Sequence, residues 1–262
     1  MIMKVELKRA FQSKGFYLSL IIGIIFSILQ LREDGFFYPF EETYFGPWSL
    51  YDHWIMFRAG SFRNSMLMLM PLLTAICYSS SFLEDRKSGF SKSIYTRINR
   101  KEYIRAKYIA NFLSSFVVIV IPLIIYLLFL LMTIPNIKPD VSIYNQTIRQ
   151  YGMFHNLYYS QPIVYILIAT CIYGIFGGIY SSVALVVSLK IKNIFVVLST
   201  PFLFVFILDM IMHFLKTYNL SPINYLSVFS RANSAVVFLE IIIGVLITFG
   251  MFYLGGKNEE IL

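Results

Sequence analysis

Six apolar runs decide what this chain can become. They cover roughly 16–31, 66–82, 109–132, 162–189, 194–215 and 235–254. At 1.5 Å per residue, even the shortest is just long enough to cross a hydrocarbon core of about 30 Å. Every backbone N–H and C=O inside such a core must find its partner within the segment, so the runs read as helices. The expected fold is therefore all-α: a polytopic membrane protein with six transmembrane helices in a single transmembrane domain over 1–262. The chain is 58% hydrophobic and only 14% charged, where a soluble domain carries about a quarter charged residues. Its net charge of +8 would suit nucleic acid, but the basic residues flank apolar runs instead of forming a patch on a soluble domain. Membrane lipids are expected partners and nucleic acid is not.

The one long hydrophilic stretch, 84–107, carries Arg86, Lys87, Lys92, Arg97, Arg100, Lys101, Arg105 and Lys107. With Lys4, Lys8, Arg9, Lys14, Lys190, Lys192 and Lys257 it falls on one side of the membrane, leaving Arg32, Arg58, Arg63, Lys138, Arg149, Lys216 and Arg231 on the other. The heavier side stays in the cytoplasm, which places both termini there. Within the stretch, Phe90, Ile94 and Ile98 recur every fourth residue after a turn at Gly89, giving a short helix with an apolar stripe that faces the cytoplasm. Because no soluble domain in this chain could cover that stripe, a partner protein is expected. Asn99 and Glu102 have the spacing of a capping box opening the helix that enters the third run.

Residues 3–14 set Met3, Leu7, Ala10 and Phe11 on one helical face, with Lys4, Glu6, Lys8 and Arg9 around the rest, as in a helix lying in the interface. The start resembles a signal peptide, but no small-x-small site follows, so it is expected to remain uncleaved. The loop 32–65 is rich in aromatics, including Trp48 and Trp54, and is expected to lie along the outer interface. A second outer loop, 133–161, contains the glycosylation-type triplet Asn145-Gln-Thr147, relevant only in a eukaryotic secretory setting. The fourth run has Gly174-x-x-x-Gly178 with Gly177, Ser181 and Ser182, a spacing that lets helices approach closely, here expected within the chain. Ser221-Pro222 opens a short helix with Ile223, Leu226 and Phe229, too short to cross and so expected to lie on the outer surface or to dip into the membrane from outside.

The chain lacks a phosphate-binding P-loop, a zinc-protease helix motif, a nucleophile elbow and paired metal ligands. His53, His155 and His213 are scattered, and Cys77 and Cys171 lie inside apolar runs as small hydrophobes. No catalytic residue, cofactor site or metal site is expected. Asp209 and Glu240 are acids within apolar runs and so are candidate functional groups; structural pairing, for instance with Arg231, is the other reading of them.

Taken together, the interfacial first helix, six runs, basic helical loop after the second and short outer helix after the fifth resemble the membrane (permease) subunit of an ABC type-2 exporter. Local wording agrees: Glu6-Leu-Lys-Arg9 before the first run, acid-x-x-x-Gly from Asp85 to Gly89, and Arg100-Lys-x-Tyr103-x-x-Ala-Lys107 after the second. The resemblance implies that the loop helix is a coupling helix, with Gly89, Phe90, Ile94, Tyr95, Arg97 and Ile98 meeting a separate nucleotide-binding ATPase subunit. ATP and Mg would then be bound by that partner, and this chain would not itself be an enzyme. It also implies a second permease half, the same chain or a paralogue. The transport path would run between the halves along the second and fifth runs, past Met66, Met70, Tyr78, Phe202, Phe206 and Met210.

Small permeases of this type are similar to those of bacterial peptide-toxin export, such as the phenol-soluble modulin exporters, and of lantibiotic or bacitracin self-immunity. The expected location is the bacterial plasma membrane, and the expected substrate is hydrophobic or amphipathic, a peptide first, with lipids and hydrophobic drugs also fitting. The competing class is a secondary transporter or channel using Asp209 and Glu240. It predicts a half-to-half repeat, which the sequence does not display.

Overall fold

A computed structural model of the chain describes residues 2–33, 49–55, 61–139, 148, 152–217, 220, 221, 223, 226 and 233–258. Residues 34–48, the 145–147 triplet, Arg231 and most of the short helix expected after Ser221 lie outside them. The described residues form helices and connections, with no strand. In chain order these are α1 (Ile2–Phe11), α2 (Lys14–Glu33), α3 (Leu50–Ile55), α4 (Ser61–Tyr78), α5 (Ser81–Lys87), α6 (Phe90–Tyr95) and α7 (Arg100–Thr133), followed by α8 (His155–Ser160), α9 (Pro162–Val187), α10 (Ile194–Phe214) and α11 (Ser234–Asn258). Six segments are long and apolar enough to span a membrane: α2, α4 continuing into α5, α7, α9, α10 and α11. The chain is an all-α, multi-pass membrane protein.

Local chemistry sets the helix starts. Ser13 Oγ accepts from Phe16 N at 3.1 Å, capping α2, and donates to the Cys77 carbonyl at 2.9 Å, so one hydroxyl both starts that helix and pins it to α4. Asn99 accepts from Lys101 N at 3.0 Å and Asn193 from Phe195 N at 3.0 Å, so α7 and α10 each begin behind an Asn cap. α7 then runs without interruption into its span, as its sequence suggests.

Packing depends on glycine where helices cross. A Cβ on Gly15 would stand 2.2 Å from the Ile76 carbonyl oxygen, so α2 and α4 touch backbone to backbone. Gly174 and Gly178 lie against the Phe116 and Phe112 rings of α7, so this small-residue pair serves contacts within the chain. Burial divides the bundle. Two-thirds of the α9 span window is buried (67%), against 17% for α10 and for α11, which form an outer wall with Phe204, Ile207, Met210, Ile242 and Leu246 exposed.

At the end away from α6, α3 turns into the bundle. Trp54 is 1% exposed, donates from Nε1 to the Leu123 carbonyl at 3.4 Å and meets the Tyr173 ring edge-on. The interfacial position expected for Trp54 is thus replaced by a buried one, because α7 and α9 offer its ring an apolar slot and its N–H an acceptor. Asp52 is buried beside it. It accepts from Ser49 N at 3.0 Å, Ser49 Oγ at 2.6 Å and Tyr158 Oη at 2.6 Å, tying α3 to α8.

Candidate functional site

The segments that meet at the α6 end are α1, the α4–α5 junction, α6 and the start of α7, and between them lies a closed cluster of charge. Glu6 and Lys107 are fully buried and Asp85 is 2% exposed. Lys107 Nζ donates to Asp85 Oδ2 at 2.6 Å, to Glu6 Oε2 at 3.1 Å and to the Tyr78 hydroxyl at 3.3 Å, which uses all three of its protons. Arg9 spans both acids, donating to Glu6 Oε1 at 2.7 Å and to Asp85 Oδ1 and Oδ2 at 2.5 and 3.2 Å. Two tyrosines complete the set: Tyr78 Oη donates to Glu6 Oε2 at 2.9 Å and Tyr103 Oη to Asp85 Oδ2 at 2.5 Å.

Two carboxylates, one ammonium and one guanidinium balance, and the hydrogen bonds offset the desolvation of each. Burial works against charge on Arg9, but its hydrogen bond to Asp85 and the nearby Glu6 carboxylate more than compensate, so its pKa lies above the ordinary arginine range. Each charged group of the cluster is engaged by another member of it. Its physical effect is to fix α1, α5 and α7 to one another.

The loop helix is mounted on this cluster. Gly89 has φ of 73°, a left-handed turn that favours glycine, and α6 follows. Ser91 Oγ donates to the Asp85 carbonyl at 3.0 Å, and the Arg9 guanidinium lies 4.5 Å from the centre of the Phe90 ring. Ile94 is 8% exposed, in a core with Phe82, Tyr103, Ile104 and Phe252, and Tyr95 and Ile98 pack against that core.

The expected outward stripe of Phe90, Ile94 and Ile98 is therefore corrected: Ile94 is covered by α5, α7 and α11 of the same chain. The face left exposed is Phe90, Ser93 and Arg97. With Ile94 covered by its own chain, solvation of the stripe does not demand a partner. Ile94→Ala is expected to destabilise the chain by about 2 kcal/mol, the low end for a core deletion, read as a lowered thermal midpoint in detergent; Ser93→Ala should leave that midpoint unchanged.

The other residues singled out from sequence separate into two groups. Met66, Met70 and Tyr78 are buried inside the bundle, Tyr78 as a member of the cluster. Phe206 and Met210 lie exposed on the α10 wall with Phe202, half-buried, stacked on Phe206. The structure does not bring these two sets into one cavity within a single chain. Asp209 accepts from the Ser221 hydroxyl, and its Oδ2 lies 3.5 Å from His213 Nδ1. Glu240 is half-buried on α11, within electrostatic reach of Tyr180. No hydrogen bond or ion pair among the described residues joins Asp209 to Glu240.

Sequence reasoning missed the cluster, although Glu6, Arg9, Asp85, Tyr103 and Lys107 all belong to the three short motifs noted for resemblance. Comparison with protein-family models and with curated proteins finds no match to the chain.

Proposed function

We propose that the chain is the membrane half of an ATP-driven exporter of the ABC type-2 kind, in the plasma membrane of a bacterium with both termini cytoplasmic. The observation that carries this reading is the cluster. It joins the interfacial helix, the end of the second span, the loop helix and the start of the third span into one rigid block, with Phe90, Ser93 and Arg97 presented outward. A block of that kind passes a push on α6 directly into two membrane spans. ATP and Mg belong to a separate nucleotide-binding subunit that grips this face. The open apolar wall of α10 and α11 suits a second permease half, and a path shared between two halves would bring Phe202, Phe206 and Met210 of α10 toward the second-span residues. Its substrate is hydrophobic or amphipathic, a peptide first.

The test is co-purification. The affinity-tagged chain, taken from its native membranes in mild detergent, should retain a protein that hydrolyses ATP. Ser93→Glu with Arg97→Glu reverses the charge of the exposed face without touching the cluster, and should lose that protein with an unchanged thermal midpoint. If the intact chain holds no ATP-hydrolysing partner, and vesicles containing it alone move substrate down a proton gradient, the reading fails.

The secondary-carrier alternative makes Asp209 and Glu240 essential. Since Asp209 is already engaged by Ser221 and His213, Asp209→Asn and Glu240→Gln are each expected to reduce transport only in part in reconstituted vesicles. Complete loss with normal expression would favour a carrier.

A further inference from the structure

Between the ends of α9 and α11 nearest the charge cluster lies a half-open cavity of about 740 Å³, walled by Val187, Leu189, Met251, Leu254 and Gly255, with Lys190 at its rim. Its lining takes in the last turn or so of two membrane-length segments, which end at Val187 and Gly256; the end of such a segment lies near the level where hydrocarbon gives way to headgroups. Its walls are aliphatic. Lys190 is exposed, as is Lys192 two residues on, and no carboxylate of the described residues forms an ion pair with either. Arg105, 5.4 Å from the centre of the Tyr253 ring, adds a further cation at the same end. An apolar groove at the ends of two spans, beside exposed lysines that pair with no described carboxylate, is complementary to a molecule that joins an acyl chain to a phosphate.

We propose that this groove binds one anionic phospholipid, with an acyl chain between α9 and α11 and the headgroup phosphate on Lys190 and Lys192. The proposal does not depend on the exporter reading, since it needs only a membrane-embedded chain. It gives the lipid a route to the rest of the molecule. The groove wall at Leu189 is held by Arg86, whose Nη1 donates to the Leu189 carbonyl at 2.5 Å and to the Ser188 carbonyl at 3.4 Å. Arg86 follows Asp85 on α5, so the lipid lies one side chain from the charge cluster. Occupying the groove supports the end of α9 that Arg86 grips.

The test uses tryptophan fluorescence in dioleoylphosphatidylcholine vesicles containing increasing fractions of dibrominated phosphatidylglycerol or dibrominated phosphatidylcholine. The probe is Leu254→Trp at the groove lip, with Leu246→Trp higher on the same exposed wall as the comparison and the parent chain subtracted as background. At position 254 the brominated phosphatidylglycerol should quench at about one-thirtieth of the concentration needed for the phosphatidylcholine, the preference expected of two lysines at an anionic surface. At position 246 the two lipids should quench alike. Lys190→Gln with Lys192→Gln should abolish the preference at 254. Equal quenching by both lipids at 254, or a preference that survives the lysine changes, would overturn the proposal. So would absence of quenching by either lipid, which would mean that protein, such as a second copy of the chain, fills the groove.

Discussion

Lys107→Met is expected to cost about 3–5 kcal/mol of stability, because it leaves Glu6 and Asp85 sharing a single cation inside the bundle. The size of that effect rests on burial: Lys107 and Glu6 are fully enclosed, so water cannot replace the lost ammonium. Adding Glu6→Gln to Lys107→Met restores charge balance, leaving Arg9 opposite Asp85, and should recover most of the loss. The measurement is a double-mutant cycle on thermal midpoints in detergent. Additive losses would show that the two side chains act separately. A Lys107→Met chain as stable as the parent would mean that the cluster does not hold this end together. Should the single variant fail to accumulate in membranes, accumulation of the double variant is the informative result.

A comparable loss, about 3 kcal/mol or more, is expected from adding one methyl group at Gly15, at or above the top of the usual range for overpacking. The atoms in its way are the carbonyl oxygens of Ile76 and Cys77, at 2.2 and 2.7 Å. Backbone cannot rotate aside as a side chain does, so α2 would have to move off α4, straining the Ser13 bond to Cys77 as well. Gly250 on α11 is the natural control, since a Cβ there meets nothing within 4 Å. Gly250→Ala should leave stability unchanged or raise it by about 0.5–1 kcal/mol through helix propensity. Equal midpoints for Gly15→Ala and Gly250→Ala would refute the close contact of α2 and α4.

The spans could be read from the sequence because they depend on a local property, an unbroken run of side chains that tolerate hydrocarbon. The start of α7 was legible for the same reason, since an Asn cap acts within its own first turn. The charge cluster was not, because Glu6, Asp85 and Lys107 are brought together from distant parts of the chain. In sequence, Asp85 and Lys107 bound a hydrophilic segment and look solvated, and Glu6 sits among cations on the polar side of an interfacial helix. A local signal existed: Glu6 and Arg9 are one turn apart, as are Tyr103 and Lys107, each pair ready to share a partner. Ile94 misled in the opposite direction. Its four-residue spacing with Phe90 and Ile98 suggests one side of a helix, but α6 ends at Tyr95, before Ile98, and periodicity does not say whether the protein's own chain or another covers an apolar side chain.

The unbroken length of α7 has a mechanical consequence. Its 34 residues extend about 50 Å, against about 30 Å of hydrocarbon. Tyr103 and Lys107 anchor one end in the ionic block. About two-thirds of the way along, Trp54 donates to the Leu123 carbonyl and Tyr126 to the His53 carbonyl, and at the same level Gly23 of α2 closes on Pro122 and Ser27 Oγ donates to the Pro122 carbonyl at 3.1 Å. A rod anchored at one end and borne against its neighbours at Pro122 and Leu123 works as a lever. Tilting it by about 10° about that bearing would carry Lys107, about 23 Å away along the helix, through about 4 Å, close to the width of a methylene chain. A push on the loop helix would thereby reach Trp54 and the Asp52 lock on the far face without any helix having to unwind.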